Sequence, residues 1–172
     1  MNKIGSIRRL DELGRLVIPK EIRNIIHAKS GDTFEIYLNN EEIILKKYSP
    51  LNNIESLANT IAQTLNKNLK TEVIITSKDK IIISKSNNIN KNDLLSEEII
   101  SLIEIHKNLL FHNKKISVTQ NTSKYGDFII CPLTSSGDNI GSIIIYSSSN
   151  LKEEDMKIIK ILSQIISENI SE

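Results

Sequence analysis

Apolar positions change period several times along this chain, and each change predicts an element. From Thr33 to Leu38, Phe34, Ile36 and Leu38 alternate with Glu35 and Tyr37, the period of a strand; Glu42 to Tyr48 reads as its return. Between them Asn39-Asn40 supplies residues that tolerate the positive φ of a tight hairpin. Upstream, Ser6 to Leu10 and Arg15 to Ile18 read as two short strands joined by the turn Asp11-Glu12-Leu13-Gly14. Pro19 then opens a helix, being tolerated in a first helical turn. Ile22, Ile25 and Ile26 share one face of it, Lys20, Arg23, Asn24 and His27 project from the other, and Gly31-Asp32 closes the element. Strand, strand, helix, strand, strand is the order expected for the first 48 residues.

Lys47-Tyr48-Ser49-Pro50 followed by Asn52-Asn53 breaks the pattern, because Pro50 biases Ser49 away from helix. Two domains are expected, residues 1–50 and residues 51–172. Beyond the break, Ile54, Leu57, Ala58, Ile61, Ala62 and Leu65 recur at helical spacing. Glu72 to Ser77 and Lys80 to Lys85 read as a strand pair, Asn92 to Leu110 as a helix, and Ser117 to Thr122, Phe128 to Leu133 and Ile140 to Ser147 as strands. A last helix starts at Leu151, with Asn150 placed to cap it.

Composition sharpens the first domain. Lys and Arg number 22 against 21 Asp and Glu, yet Met1 to Lys29 holds seven cations and three acids, a local excess of about four. All the arginines, Arg8, Arg9, Arg15 and Arg23, lie there; after Arg23 every cation is Lys. A chain that chooses Lys wherever a point charge suffices has kept four planar forks together, and forks pair bidentately with phosphate or guanine edges. A unit of ~48 residues without metal or disulfide is near the lower limit for a self-sufficient core. A two-fold dimer sharing one barrel is the economical solution.

The stretch from Gly5 to Arg23, with Gly31-Asp32 and Glu41 to Tyr48 behind it, closely resembles the AbrB-type swapped-hairpin DNA-binding domain. That resemblance implies an interwoven homodimeric barrel that binds double-stranded DNA as a transcriptional regulator. Its DNA-contacting arginines fall on Arg8, Arg15 and Arg23, and Arg9 stands where the family usually has a basic residue. Lys20, on the cationic helix face, joins them as a DNA-binding candidate, whereas Asn24 stands where relatives often carry a second consecutive Arg. The order α, β, β, α, β, β, β, α that follows resembles a GAF sensor domain. The fold class expected is therefore α+β, a dimeric AbrB-like β-barrel followed by a GAF-like α/β domain. The whole architecture resembles the SpoVT family of sporulation regulators, which implies a tetramer built as a dimer of dimers; a cytoplasmic, nucleoid-associated location is expected from the composition and the lack of a membrane-spanning run. The stripes Ile54 to Leu65 and Met156 to Ile170 are the expected second interface, besides covering the sheet.

Other chemistries find little support. A single thiol, Cys131, gives no disulfide framework and no paired-thiolate zinc site, and His27, His106 and His112 are too scattered to complete a ligand set. No metal and no cofactor is expected. Some GAF proteins reduce methionine sulfoxide through several cysteines, but Cys131 alone cannot form and resolve a disulfide within one chain; it reads as a small buried hydrophobe. No nucleophile, base or metal constellation is present, so no catalytic residue is assigned. The resemblance to GAF domains implies a small-molecule ligand that the sequence does not identify; Tyr125-Gly126-Asp127 and Ser135-Ser136-Gly137-Asp138 read as turns that could rim its pocket. No apolar run reaches the ~18 to 20 residues of a membrane span, and Arg8 and Arg9 occupy the place of a signal-peptide core. Swapped-hairpin domains also occur in antitoxins, the competing function. Those usually end in a flexible acidic tail, whereas residues 51–172 look periodic and folded.

Overall fold

A computed structural model describes residues 6–48, 51, 54–148 and 150–170. The chain divides into two compact units, Met1–Tyr48 and Ser49–Glu172. The predicted break at residues 49, 50, 52 and 53 lies outside the described residues.

In the first unit α1 (Lys20–Ile25) is followed by β1 (Phe34–Asn39) and β2 (Glu42–Lys47), an antiparallel hairpin in which Asn39 faces Glu42. The hairpin loop is therefore Asn40-Glu41, one residue later than expected, and Asn40 carries the positive φ of 53°. α1 also ends earlier than expected. His27 takes the left-handed conformation at φ 51°, and the N–H groups of His27 and Ala28 donate to the carbonyls of Asn24 and Arg23, so a Schellman motif closes the helix before Gly31-Asp32. The strands expected at Ser6 to Leu10 and Arg15 to Ile18 form no ladder in the single chain. What remains of that hairpin is its tip: the Asp11 N–H donates to the Arg15 carbonyl at 3.1 Å, and Gly14, at φ 73°, donates to the Asp11 carbonyl at 3.0 Å. A two-stranded pair is marginal unless further strands or a packed apolar face support it, and in one copy neither segment pairs with the β1-β2 hairpin. No described residue of 6–48 is buried; Ile7 is 94% exposed, Leu38 78% and Ile43 71%.

The second unit follows the expected element order: α2 (Glu55–Leu69), β3 (Glu72–Thr76), β4 (Ile81–Lys85), α3 (Glu97–Glu104), β5 (Leu109–Ser117), β6 (Ser123–Ser135), β7 (Asp138–Ser147) and α4 (Glu153–Ile170). The strands form one antiparallel sheet in the order β4-β3-β7-β6-β5. Its middle strands read as continuous apolar runs because both faces are covered. Val73, Ile75, Ile129, Cys131, Leu133, Ile143 and Ile145 point to one side, where Ala58, Ile61, Ala62 and Leu65 of α2 and Ile159 and Ile166 of α4 close a single cluster. Ile74, Phe128, Ile130 and Ile144 point to the other, packed against Ile99 and Ile103 of α3.

The helix expected over Asn92 to Leu110 is shorter. Ser96 caps α3 through a bond from the Ile99 N–H, and the chain then becomes β5, paired with β6 from Leu109 to Ser117. The strand expected at Ser117 to Thr122 is accordingly the end of β5 and its connection. At α4 the cap is not Asn150: the helix starts at Glu153, and the Asp155 carboxylate accepts the Lys152 N–H at 2.8 Å. Ser136-Gly137 turns β6 into β7 with φ of 52° and 86°, the geometry of a two-residue hairpin loop. Tyr125-Gly126-Asp127, by contrast, is no turn but the interior of β6.

Candidate nucleic-acid interface

The five predicted DNA-binding side chains, Arg8, Arg9, Arg15, Lys20 and Arg23, are all exposed on the first unit. Lys20 and Arg23 lie three residues apart on α1 and so share one helix face. Arg23 also reaches back to its own helix entry, Nη1 donating to the Ile18 carbonyl at 2.9 Å. Arg8 donates Nη1 to the Ile7 carbonyl at 2.9 Å and stands beside Arg9 in the irregular segment before the turn. Arg15 is held differently. Its Nε donates to Asp11 Oδ2 at 2.7 Å, with 71% of the Arg15 side chain and 40% of the Asp11 side chain open to solvent.

Asp11 was legible only as a turn residue, yet it organises the tip. Its Oδ1 accepts the N–H groups of Leu13 at 3.0 Å and Arg15 at 2.7 Å. The Arg15 backbone N–H, then the Arg15 guanidinium, hold the carboxyl below the usual carboxylate range. Asp32 plays a similar part further on. It accepts the Lys29 N–H at 2.7 Å and pairs with Lys47 of β2 at 3.2 Å, while Lys47 also donates to the His27 carbonyl at 3.1 Å. The loop after α1 is thereby tied to the hairpin. The surface is one of cationic forks on short, locally braced elements, a chemistry suited to phosphate and base-edge acceptors.

In the second unit Cys131 is fully buried in β6, and burial pushes its thiol up to about 12. His106 sits at the end of α3 in the left-handed conformation, its N–H on the Ile103 carbonyl, and His112 lies in β5; the two are not on one helix. Among the described residues no group of three or more His, Cys, Asp or Glu is placed to hold a metal ion, and no helix is long and apolar enough to cross a membrane. Between β6 and α4 a shallow groove of about 360 Å³ is lined by His106, Asn108, Pro132, Lys160, Gln164 and Glu168 among others. The turns expected to rim a pocket are not among these. The two apolar stripes are sorted by the packing: Ile61 is core, whereas α4 carries a separate ridge of Ile158, Ile161 and Ile165, 45%, 57% and 38% exposed. Those three fall within an arc of ~60° on the helix.

A unit without a buried residue that carries every arginine, followed by a helix-covered antiparallel sheet, accords with a transcription factor, and the chain's similarities are to proteins of that class. Residues 53–171 match the family described as Stage V sporulation protein T C-terminal, transcription factor, and residues 7–52 match Antidote-toxin recognition MazE, bacterial antitoxin. The chain is 31% identical over 166 residues to Stage V sporulation protein T of Bacillus subtilis (strain 168), covering 90% of this chain and 89% of that protein. Over 50 residues it is 50% identical to the transition state regulatory protein AbrB of the same organism, 29% of this chain and 52% of AbrB. The protein belongs to the stage V sporulation protein T family. Among solved structures, the second unit has the fold of the cofactor-binding GAF domain of the nutrient sensor CodY from Clostridium difficile (18% identity, TM-score 0.51, 65% of this chain and 83% of that one). It is also similar in fold to a type II free methionine-R-sulfoxide reductase from Thermoplasma acidophilum (15% identity, TM-score 0.56, 71% of this chain and 95% of that one).

Proposed function

We propose that this protein is a DNA-binding regulator of sporulation-stage transcription, residues 1–50 forming half of a homodimeric swapped-hairpin barrel and residues 51–172 a sensor and oligomerisation domain. One observation carries the reading: residues 6–48 leave their entire apolar set unburied in a single chain while presenting every arginine of the protein. A second copy of this unit covers the apolar set, gives the segments around Arg8 and Arg15 a strand to pair with, and doubles the cationic surface by symmetry. Arg8, Arg9, Arg15, Lys20 and Arg23 contact double-stranded DNA. The outer ridge of α4 joins two dimers into a tetramer, and a small molecule at the GAF-like domain shifts the arrangement of the barrels. The protein acts in the cytoplasm, at the nucleoid.

Catalysis has no part in this reading. The reductase likeness is one of fold, and a buried thiol pushed up to about 12 is neither accessible nor nucleophilic. The match to a bacterial antitoxin family supports a second reading, toxin neutralisation, but it stops at residue 52, where such a protein needs its toxin-binding tail and this chain continues into a folded unit.

Fluorescence anisotropy with the full-length protein tests the DNA assignment. Arg8→Ala, Arg15→Ala and Arg23→Ala each weaken binding by ~1 to 3 kcal/mol and flatten its salt dependence while light scattering and circular dichroism stay those of the wild type. Lys at these positions restores part of the affinity, because the charge returns without the fork. Unchanged affinity in all three folded variants would falsify the assignment.

A further inference from the structure

The geometry points to Asp11 as the residue that aims Arg15 at DNA and so sets sequence preference, an inference that rests on the DNA-binding reading above. Asp11 holds the tip of the turn at five points: Oδ1 to the N–H groups of Leu13 and Arg15, its carbonyl to the Gly14 N–H, its N–H to the Arg15 carbonyl, and Oδ2 to Arg15 Nε. The first four fix the backbone. The fifth fixes the direction of a side chain that is otherwise largely in water.

A guanidinium has five N–H donors, and Nε carries one of them. With that donor spent on Asp11, the two Nη groups are left as an outward fork of defined plane, the fork that spans O6 and N7 of guanine or two oxygens of a phosphate. Arg8 and Arg23 are arranged the other way, each spending an Nη1 donor on a backbone carbonyl. Arg15 alone of these three has its fork ends unspent and its stem clamped by an acid.

The acid is costly in this position, since a carboxylate beside a DNA-facing cation repels every phosphate regardless of sequence. Its effect on the two kinds of binding therefore differs. Repulsion lowers affinity for all DNA, whereas orientation favours the sites whose acceptors meet the fork. The combined result is a larger ratio of specific to non-specific affinity.

The test uses full-length protein, a fragment enriched from random DNA by the wild type, and random-sequence DNA as competitor, each titrated at several salt concentrations. Asp11→Asn keeps an oxygen for the two backbone N–H groups and removes the charge. It should lower the specific to non-specific ratio about tenfold, with equal or tighter random-DNA binding and a steeper salt slope. Asp11→Glu keeps the charge and moves it by one methylene; it should lower the ratio without tightening random binding, and it carries the test if Asp11→Asn fails to fold. In an Arg15→Ala background neither change should alter the ratio further. An unchanged ratio in both folded Asp11 variants, with Arg15→Ala still weakening binding, overturns the role of Asp11 and leaves the DNA reading standing. An equal change of both affinities, or a wild type without any preferred site, overturns it too. If Arg15→Ala leaves binding unaltered, the fault lies in the Arg15 assignment itself.

Discussion

Asp127 is the residue whose removal the structure lets one reckon most directly. It lies in β6 opposite a bulge in β5, where His112 and Asn113 together face one residue, and Asn113 has φ 49°. Asp127 is 5% exposed, and its carboxylate accepts three bonds: Asn113 N–H at 2.9 Å, His112 Nδ1 at 2.8 Å and the Leu151 N–H at 2.9 Å. It therefore locks the bulge and the approach to α4 at once. In Asp127→Asn the amide offers one accepting oxygen where the carboxylate had two, so a backbone N–H faces an NH₂ group. An unsatisfied buried donor costs ~1 to 3 kcal/mol, and bonds to a charged acceptor are the stronger kind; a loss of about 2 kcal/mol follows for Asn and about 3 to 5 kcal/mol for Ala. For a domain of this size that lowers Tm by about 5 to 10 °C in the Asn variant.

The pH dependence has a definite sign. The Asn113 N–H first, then His112, hold the Asp127 carboxyl below its ordinary 3.8, so the folded state prefers the ionised form. Its contribution is fully present above the unfolded carboxylate value of ~3.9 and is lost as pH falls through the lower folded value. The assay is urea unfolding followed by circular dichroism, in a His112→Ala background so that imidazole titration does not enter. The stability gap between that parent and the same protein carrying Asp127→Asn should be constant from about pH 7 to 5 and shrink below about pH 4. A gap under about 0.5 kcal/mol at neutral pH, or one undiminished at about pH 3, would refute the reasoning.

Three further outcomes are expected. Gly141→Ala should unfold the second unit or destabilise it by more than ~3 kcal/mol, because a Cβ there would stand 1.9 Å from the Thr76 carbonyl oxygen of the neighbouring strand; a thermal scan within about 2 °C of wild type would contradict the packing of β3 on β7. Ile161→Asp together with Ile165→Asp should reduce the assembly to a dimer by light scattering with the GAF-like fold retained, whereas Ile61→Asp should unfold that domain; a tetramer that survives the α4 pair places its interface elsewhere. Cys131 should resist a thiol reagent in native protein and react on unfolding in urea, and rapid native labelling would show β6 to be far more open than its burial allows.

Periodicity and composition alone carried the order of elements from α1 onward, the change of pattern near residue 50 and the clustering of the arginines in the sequence. These are local or additive properties: a period of two or 3.6 needs only neighbours in sequence, and a charge count needs no fold. The boundary between α3 and β5 was not legible, since Ile99 to Leu110 presents apolar residues that fit a helix as well as a strand, and pairing with β6 decides the matter. Tyr125-Gly126-Asp127 has the composition of a turn, and only the opposing bulge and the β7 neighbour make it strand interior with a buried carboxylate. Of the two apolar helix stripes, sequence could say that both are buried by something; sheet packing took Ile61 from one and Ile159 and Ile166 from the other, and left Ile165 outside beside Ile161, which the stripe did not include. The first two strands mark the same limit from the other side. Their residues are strand formers, but a strand exists by its hydrogen-bonded neighbour, and that edge is supplied by contacts distant in sequence or by another chain.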